Sequence, residues 1–432
     1  MNNNEIYVSL DIGTSSVKVI IGEMVNDSLN IIGVGSVQSE GLRKGAIVDI
    51  DETVHSIRKA IEQAERMIGM EITSVIVGIT GNHVMLQPCH GVVAVSSENR
   101  EITDEDVARV IDAAQVVSIP PERDIIDVIP KQFIVDGLDE ISDPRGMIGV
   151  RLEMEGTIIT GSKTILHNSL RCVERAGLEI LDITLQPLAA GAYALSKDEK
   201  NLGVALVDIG GGSTTIAIFE QGNLKATSVL PVGGDHITKD LSIGLRTSTE
   251  DAEKIKIKHG YAFYDHASEE EVFSVPIIGS DQHQQFNQLE ISDIIEARME
   301  EIFELIQNEV RRLGSQDLPG GFVLTGGVAN TQGILELAQV IFQNRVRIAI
   351  PDYIGVREPQ FTTAVGLIKF AYKNAKIQGR KMSMGAGAGA PVHTQELKEK
   401  RVQKQPQPKK PEKQPEEKIT SRVKKFLGYF FE

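Results

Sequence analysis

The sequence predicts an α/β protein of two related lobes around a cleft, and three observations support this fold class. The chain has 432 residues, which is too long for a single hydrophobic core and indicates two or more domains. Strand-like and helical patterns alternate from residue 5 to about residue 375, as they do in α/β proteins. A strand–turn–strand segment also occurs twice, far apart in the chain, and such a duplication predicts two lobes that face each other.

The duplicated segment reads VSLDIGTSSVKVIIGE at residues 8–23 and ALVDIGGGSTTIAIFE at residues 205–220. Asp11 and Asp208 align at the ends of the two first strands. Across a cleft these carboxylates would hold the water shell of a Mg²⁺ ion, because Mg²⁺ keeps most of its waters and takes few protein ligands. Lys18, on a second strand, is either a counter-charge or a solvated residue, and the solvated interpretation is slightly favoured.

Small residues in both turns predict a phosphate site. Glycine and small hydroxyl residues let backbone N–H groups surround phosphate oxygens, which bulky side chains would block. One such turn is weak evidence because glycine-rich turns are common, but two in register are not expected by chance. The predicted nucleotide-binding residues of the turns are Gly13, Thr14, Ser15 and Ser16 in the first copy, and Gly210, Gly211, Gly212, Ser213 and Thr214 in the second.

Two further segments predict contacts with a nucleoside. The stretch GFVLTGGVANTQGILELAQ, residues 321–339, reads as a strand, a glycine-pair turn and a helix. A glycine pair before a helix lets a flat group such as adenosine lie against the backbone. In EDAEKIKIKHG, residues 250–260, Glu253 and Lys256 lie three residues apart on one helical face. Taken alone, that pattern fits an ordinary surface ion pair.

The composition excludes some functional classes. The formal net charge of -15 argues against nucleic acid as a partner, because phosphate contacts need a basic face. Cys89 and Cys172 show no metal-ligand or disulfide pattern and are expected to be buried thiols in a reducing compartment. The first residues do not have the pattern of a signal peptide, and no apolar run approaches the roughly 18 residues of a spanning helix. Any membrane contact is therefore expected to be peripheral.

Together with LQPLAAGAYAL (residues 185–195) and FTTAVGLIKF (residues 361–370), these motifs resemble the actin, Hsp70 and sugar-kinase superfamily. The order of the motifs matches over most of residues 5–372. The resemblance implies an actin-like fold, in which two RNase-H-like lobes close on ATP and Asp11 and Asp208 coordinate Mg²⁺ through water. Further nucleotide contacts are implied for Gly326, Gly327, Glu253 and Lys256. Gln186 falls where the superfamily orients the attacking water, and slow hydrolysis is expected because an amide is not a general base.

Within the superfamily the chain is most similar to the FtsA family of bacterial division proteins. The similarity extends to GLRKGAIVDID (residues 41–51), SVIVGITGNHV (74–84), KQFIVDG (131–137) and LPVGGDHITKDL (230–241). It implies an ATP-binding protein that polymerises on the cytoplasmic face of the cell membrane at the division septum. There it would anchor the ring protein FtsZ by binding the C-terminal tail of FtsZ and help to recruit other division proteins.

The resemblance also predicts how the chain is divided. Residues 1–84 would form the nucleotide-binding part of the first lobe, 85–162 an inserted subdomain for protein contacts and self-association, and 163–200 the return with a connecting helix. The core of the second lobe would comprise 201–229 and 316–355. A smaller partner-binding subdomain would take 230–315, and a return helix 356–375. Residues 376–418 would be a disordered linker and 419–432 an amphipathic membrane helix.

Local patterns predict individual elements of two of these parts. In the inserted subdomain we expect a helix capped by Thr103, and strands around residues 125–135 and 149–160. In the smaller subdomain, residues 292–312 predict a long helix capped by Ser292. Its core-facing residues would be Ile295, Met299, Ile302 and Ile306. The exposed Arg298 and Glu301 are candidates for binding a short acidic and hydrophobic peptide, although a solvated helix face explains either residue equally well.

The end of the chain predicts a membrane anchor. Residues 376–418 are rich in Gly, Pro, Gln and Lys and have too little apolar surface to offset the entropy of ordering. After them, ITSRVKKFLGYFFE forms a helical wheel with one apolar arc and a basic remainder, which suits the interface of an anionic bilayer. The predicted membrane residues are Arg422, Val423, Lys424, Lys425, Phe426, Leu427, Phe430 and Phe431.

Three alternatives of other classes remain open. A sugar kinase would need a carboxylate base beside a sugar pocket, and no candidate other than the two cleft aspartates is evident. An Hsp70-like chaperone would need a β-rich substrate domain after the ATPase lobes. An actin-like platform protein of type IV pilus assembly would bind a membrane protein through a different surface, and the basic amphipathic C-terminus argues against it.

Overall fold

The structure is a computed structural model that describes residues 5–280, 283–315 and 317–379. The predicted membrane helix, and the predicted linker from residue 380 onward, lie outside the described residues. Within the described ranges no helix is long and apolar enough to cross a bilayer. The predicted α/β fold class of two related lobes is confirmed by the two sheet-based lobes described below.

The first lobe begins with a strand meander. Its first elements are β1 (Glu5–Ile12), β2 (Ser16–Val25), β3 (Ser28–Gln38), β4 (Leu42–Arg43), β5 (Ala46–Ile47), α1 (Ile50–Ile68) and β6 (Ser74–Ile79). The Asp49 carboxylate caps α1 by accepting from the amides of Asp51 and Glu52, as expected for an N-cap residue. Helix α1 can pack closely on β3 because Gly35 has no side chain: a Cβ there would lie 2.1 Å from the Ala60 carbonyl oxygen.

A separate antiparallel sheet forms the inserted part. Its elements are β7 (Met85–Ala94), α2 (Asp104–Ala114), β8 (Arg123–Val135), β9 (Leu138–Ile141) and β10 (Arg151–Ser162), with the sheet order β7-β10-β8-β9. The predicted cap of α2 is confirmed, since Thr103 and Asp106 form a reciprocal capping box. The strands predicted around residues 125–135 and 149–160 are also confirmed as β8 and β10. This sheet and α2 enclose a hydrophobic cluster of their own.

The chain then returns to the first lobe through α3 (Lys163–Arg175), β11 (Glu179–Leu185), α4 (Gln186–Ala194) and α5 (Lys197–Leu202). The first-lobe sheet has the order β11-β6-β1-β2-β3, in which β11, β6 and β1 run parallel and β2 and β3 antiparallel. Both cysteines are buried free thiols, as predicted from the sequence.

The second lobe repeats the arrangement of strands. It contains β12 (Val204–Ile209), β13 (Thr214–Glu220), β14 (Asn223–Leu230), α6 (Gly234–Gly244), α7 (Thr249–His259), β15 (Val272–Pro276), β16 (His283–Asn287), α8 (Gln288–Arg312), β17 (Phe322–Thr325), α9 (Ile334–Phe342) and β18 (Val346–Ile348). Short 3₁₀ helices span Tyr264–His266, Gly327–Asn330 and Pro359–Phe361. The sheet order is β14-β13-β12-β17-β18, with β12 antiparallel to β13 and parallel to β17.

The prediction for the start of α8 was wrong. The N-cap is Asn287, whose side chain accepts from the Glu290 amide in a capping box. Ser292 lies inside the helix and is buried, and its Oγ donates to the Tyr261 carbonyl at 2.9 Å. The predicted core face is confirmed: the side chains that are fully buried include Ile295, Met299, Ile302 and Ile306.

The last helix, α10 (Thr362–Ile377), returns to the first lobe and crosses α4. The two helices touch at Gly366, where a Cβ would lie 2.1 Å from the Ala189 carbonyl oxygen. Larger residues at this position would force the helices apart. Helix α10 runs to Ile377, into the first residues of the segment predicted as linker.

Candidate functional site

The two copies of the duplicated hairpin meet in the structure. Each turn is closed by the same backbone hydrogen bond, from Gly13 N to Ser16 O and from Gly210 N to Ser213 O, both at 3.0 Å. A Cβ placed on Gly211 would lie 1.9 Å from Ser15 Oγ. The turn from the first lobe therefore lies directly against the turn from the second, and only glycine fits on the second side.

The two aligned aspartates lie at the base of these turns. Asp11 is buried, and its Oδ1 accepts from Gln186 Nε2 at 2.7 Å. Asp208 Oδ2 accepts from Thr363 Oγ1 at 3.0 Å. Burial, followed by the charge of Asp11, raises the pKa of Asp208 above its ordinary value. The two carboxylates are therefore electrostatically coupled, and a divalent cation between them would relieve their repulsion.

Lys18 corrects a sequence-based interpretation. Its side chain is buried rather than solvated, and Nζ lies 3.6 Å from Asp11 Oδ2. In the structure both faces of β2 are covered, so the ammonium group is a counter-charge to the carboxylates.

The N-terminus of α6 packs against the second turn, and sequence reasoning assigned no role to it. Gly234 N donates to Gly210 O at 3.0 Å, and Asp235 N donates to Gly211 O at 2.9 Å. Ser15 Oγ donates to Asp235 Oδ1 at 3.4 Å across the cleft, and burial raises the pKa of Asp235. The signal was available in the glycine pair of VGGDH, which precedes a helical pattern just as the pair in LTGGV does.

The Glu253–Lys256 pair lies beside this helix. Lys256 Nζ lies 2.6 Å from Glu253 Oε2 and donates to Thr238 Oγ1 at 2.8 Å and to Gly234 O at 3.2 Å. The Lys256 side chain is 11% exposed, so this is not the ordinary surface ion pair that the spacing alone suggested. A Cβ on Gly234 would meet both Lys256 Nζ and the side chain of Val328, which shows that α7 and the third glycine segment converge here.

The two glycines of the third segment have different environments. Gly326 has a φ of 90°, and a Cβ there would lie 2.4 Å from Asp208 Oδ1. Gly327 is open: its nearest contact would be Gln360 Oε1 at 4.0 Å. Gly326 therefore lets the chain pass next to the Asp208 carboxylate, while Gly327 leaves free space in which a flat group can lie.

Gln186 lies at the first position of α4 and faces a small pocket between the lobes. The lining includes Asp208 and Thr215 from the second lobe. The Gln186 amide group bonds to Asp11 and can orient water, but it has no proton-accepting carboxylate.

The residues fit a magnesium–nucleotide complex. Gly211, Gly212 and Gly326 let the two turns and the third segment approach each other closely, because a side chain at any of them would collide with a neighbouring residue. The coupled carboxylates of Asp11 and Asp208 are the oxygen donors that Mg²⁺ prefers. When bound, Mg²⁺ would neutralise phosphate charge, and the two turns would position the phosphates through backbone N–H groups.

The candidate partner residues lie on a different part of the second lobe. Arg298 forms a two-point ion pair with Asp240, with Nε at 2.6 Å from Oδ2 and Nη2 at 3.1 Å from Oδ1, and it also contacts Glu301. The sequence predicted Arg298 as a freely exposed residue, and this was wrong, because its side chain is only 27% exposed and already paired. Glu301 remains exposed.

Comparisons with known proteins give a consistent result. A family model described as "Cell division protein FtsA" matches residues 205–366, and one described as "SHS2 domain inserted in FTSA" matches residues 81–160. A cell division protein FtsA of Bacillus subtilis (strain 168) is 62% identical over 441 residues, with 100% of both chains covered. A second, from Escherichia coli (strain K12), is 35% identical over 87% of this chain and 92% of its own length.

Solved structures share the fold at low sequence identity. MreB5 of Spiroplasma citri bound to AMPPNP gives a TM-score of 0.54 at 15% identity, covering 86% of this chain and 97% of that chain. The PilM–PilN type IV pilus biogenesis complex gives a TM-score of 0.56 at 16% identity, covering 84% and 97%. At these identities the likeness concerns the fold alone.

Proposed function

The chain belongs to the FtsA family of cell division proteins, and from this premise we propose that it is an ATP-binding, membrane-attached polymer that anchors the division ring. Its role in division follows from the family. Four finer parts are proposals of their own: nucleotide binding, slow hydrolysis, membrane attachment and binding of the FtsZ tail.

The main support for the proposal of nucleotide binding is the contact between the two duplicated turns. Gly211 and Gly212 lie against Ser15 and Thr14, with the aspartates immediately behind. A triphosphate seated there would be surrounded by backbone N–H groups from both lobes, and Asp11 and Asp208 would hold its Mg²⁺ through water. The adenosine would extend past Lys256 toward Gly327, because that side of the cleft is open.

The test compares two substitutions by equilibrium dialysis with Mg-ATP. Gly327→Trp fills the proposed adenosine space and should lower ATP affinity strongly. Lys59→Trp is the control for adding an indole, because Lys59 is exposed on α1 and is not one of the proposed nucleotide contacts. An unchanged ATP affinity in Gly327→Trp would show that the adenosine site is assigned wrongly.

Hydrolysis of ATP should be slow. Gln186 can orient water but cannot take its proton, and its amide is already bonded to Asp11. A turnover of roughly 10 s⁻¹ or faster, typical of metabolic enzymes, would instead favour a kinase-like role.

Membrane attachment is proposed for residues 419–432 on the strength of their sequence pattern. Each Lys or Arg near an anionic surface contributes about 1 kcal/mol, and the aromatic residues add apolar insertion. One such helix binds reversibly, whereas many copies in a polymer bind together through effective concentration. A coil of the length of residues 376–418 spans roughly 35–40 Å, which lets the folded part reach filaments beneath the membrane.

Sedimentation with anionic vesicles tests the anchor. Changing Phe426 and Phe430 to Glu should release the protein into the supernatant, while changing Gln403 and Gln407 to Glu adds the same charge without removing apolar surface and should not. Binding of the parent should weaken with salt, because the basic contribution is screened. If both variants sediment equally, the apolar face is not the anchor.

Binding of the FtsZ C-terminal tail is proposed for the surface around Arg298 and Glu301. Because Arg298 is paired with Asp240, it would act as part of a charged cluster rather than as a free cation. Titration with a synthetic tail peptide should show weaker binding for Arg298→Ala than for Glu301→Ala, which leaves the Asp240 pair in place. Equal affinities in the parent and Arg298→Ala would remove Arg298 from the site.

A further inference from the structure

The end of α10 is capped by a residue from the inserted part of the chain. Arg145 Nη2 donates to the Lys376 carbonyl oxygen at 2.7 Å and also to that of Ile377. The last carbonyl groups of a helix have no partner within the helix, and a cation there interacts favourably with the helix dipole. Arg145 therefore supplies, from a residue far away in sequence, the cap that α10 needs.

The same guanidinium group is fixed within the inserted part. Arg145 Nη1 donates to Asp143 Oδ2 at 3.1 Å, and Nε lies 2.6 Å from Asp104 Oδ1 in an ion pair that lacks hydrogen-bond geometry. Apolar packing accompanies these polar contacts, because Ile377 packs against the hydrophobic cluster enclosed by α2 and the β7–β10 sheet. The chain then passes close to α2: a Cβ on Gly379 would lie 2.9 Å from Asp104 Oδ1.

The opposite side of the last turn is attached to the first lobe. Asp27, in the β2–β3 turn, pairs with Lys376 and accepts from Tyr372 OH at 2.5 Å. The inserted part also meets the first lobe at its own base, where Arg123 Nη2 donates to the His83 carbonyl oxygen at 2.9 Å. The end of α10 is thus a second attachment point for the inserted part, distinct from its base.

We propose that Arg145 is a latch that joins the inserted part, residues 85–162, to the C-terminal end of α10. The orientation of this subdomain then depends on the end of α10 as well as on its own base. Any force or rearrangement that reaches residue 379 from the following segment acts directly on Asp104 and Arg145. This inference goes beyond the proposed function, because it depends on neither ATP, FtsZ nor a membrane.

The guanidinium geometry explains why arginine is needed. A planar fork can bond two carbonyl oxygens and one carboxylate at fixed angles, whereas a lysine ammonium is a point charge that cannot reach all three groups in one position. Arg145→Lys should therefore keep the charge and lose the latch. Arg151→Ala is a matched control, because Arg151 lies in the same inserted part at the start of β10, is more exposed than Arg145 and pairs with Glu153 rather than with α10.

The first experiment measures the motion of the subdomain. Spin labels are attached to the full chain at Asp139→Cys, an exposed site beyond β8, and Lys59→Cys, an exposed site on α1. The two native thiols are buried and are expected to react slowly. The distance distribution between the labels should be broader in Arg145→Ala than in Arg151→Ala. Equal widths in the two variants would overturn the proposal.

The second experiment remains informative if Arg145→Ala folds poorly. Hydrogen exchange of full-length Arg145→Lys should be faster by about tenfold at the amides of Gln378 and Gly379, because loss of charge-assisted bonds lets the last turn open. Hydrogen exchange in the first turn of α2 should also become faster, since Asp104 in that turn pairs with Arg145 at the end of α10. Exchange at both places that matches the parent would show that Arg145 is not a latch.

Discussion

Gly326 and Gly327 are adjacent, yet the structure predicts opposite consequences for changing them. Gly326 has φ 90° and ψ 169°, a conformation that is essentially reserved for glycine and costs other residues about 1–3 kcal/mol. A Cβ there would also lie 2.4 Å from Asp208 Oδ1 and 2.5 Å from the Ile209 carbonyl oxygen. Relieving such overlaps in a packed site costs about 1–3 kcal/mol more. Gly326→Ala should therefore reduce the free energy of unfolding by about 2–6 kcal/mol.

Urea unfolding followed by circular dichroism measures this effect, and tyrosine fluorescence is a second probe because the chain contains no Trp. With a slope of about 3 kcal/mol per molar, the urea midpoint of Gly326→Ala should fall by roughly 0.7–2 M. Gly327→Ala is the control, since a Cβ at that position meets nothing closer than 4.0 Å. Similar midpoints for the two variants would refute the reasoning.

Three further outcomes are expected around the same carboxylates and turns. Asp208→Asn should raise the free energy of unfolding at neutral pH, because burial and Asp11 raise the pKa of Asp208. The stability difference from the parent should shrink as pH falls and Asp208 becomes protonated. Urea unfolding at several pH values measures it. Gln186→Glu replaces a donor to Asp11 with a second carboxylate, so its thermal stability should be lower at neutral than at mildly acidic pH. Gly211→Ser should destabilise the protein by colliding with Ser15, and adding Ser15→Gly should restore much of the loss.

Much of the fold could be predicted because its local signals are strong. The repeated strand–turn–strand segments became β1–β2 and β12–β13, and Thr103 caps α2 as its capping-box pattern indicated. Helical periodicity correctly identified the buried face of α8. These features depend on residues that are close in sequence, so the local sequence is enough to predict them.

Other features depend on contacts between distant segments. Lys18 was misjudged because its burial is decided by β3 and Asp11 rather than by its neighbours in sequence. Arg298 was expected to be free, but α6 places Asp240 opposite it. The start of α8 was predicted wrongly for a local reason. The helix begins with the capping box of Asn287 and Glu290, which precedes the apolar pattern that begins after Ser292.

The duplicated hairpins show why two copies of one motif differ where they meet. Gly13 and Gly210 are retained in both copies because a Cβ at either position would lie 2.9–3.0 Å from the carbonyl oxygen that closes its own turn. That requirement lies within each hairpin and is the same for both. Thr14 and Ser15, however, face Gly212 and Gly211 across the cleft, and two side chains cannot occupy the same space. Hydroxyl side chains on one side thus require glycine on the other, so the asymmetry of the repeat follows from the contact between the lobes.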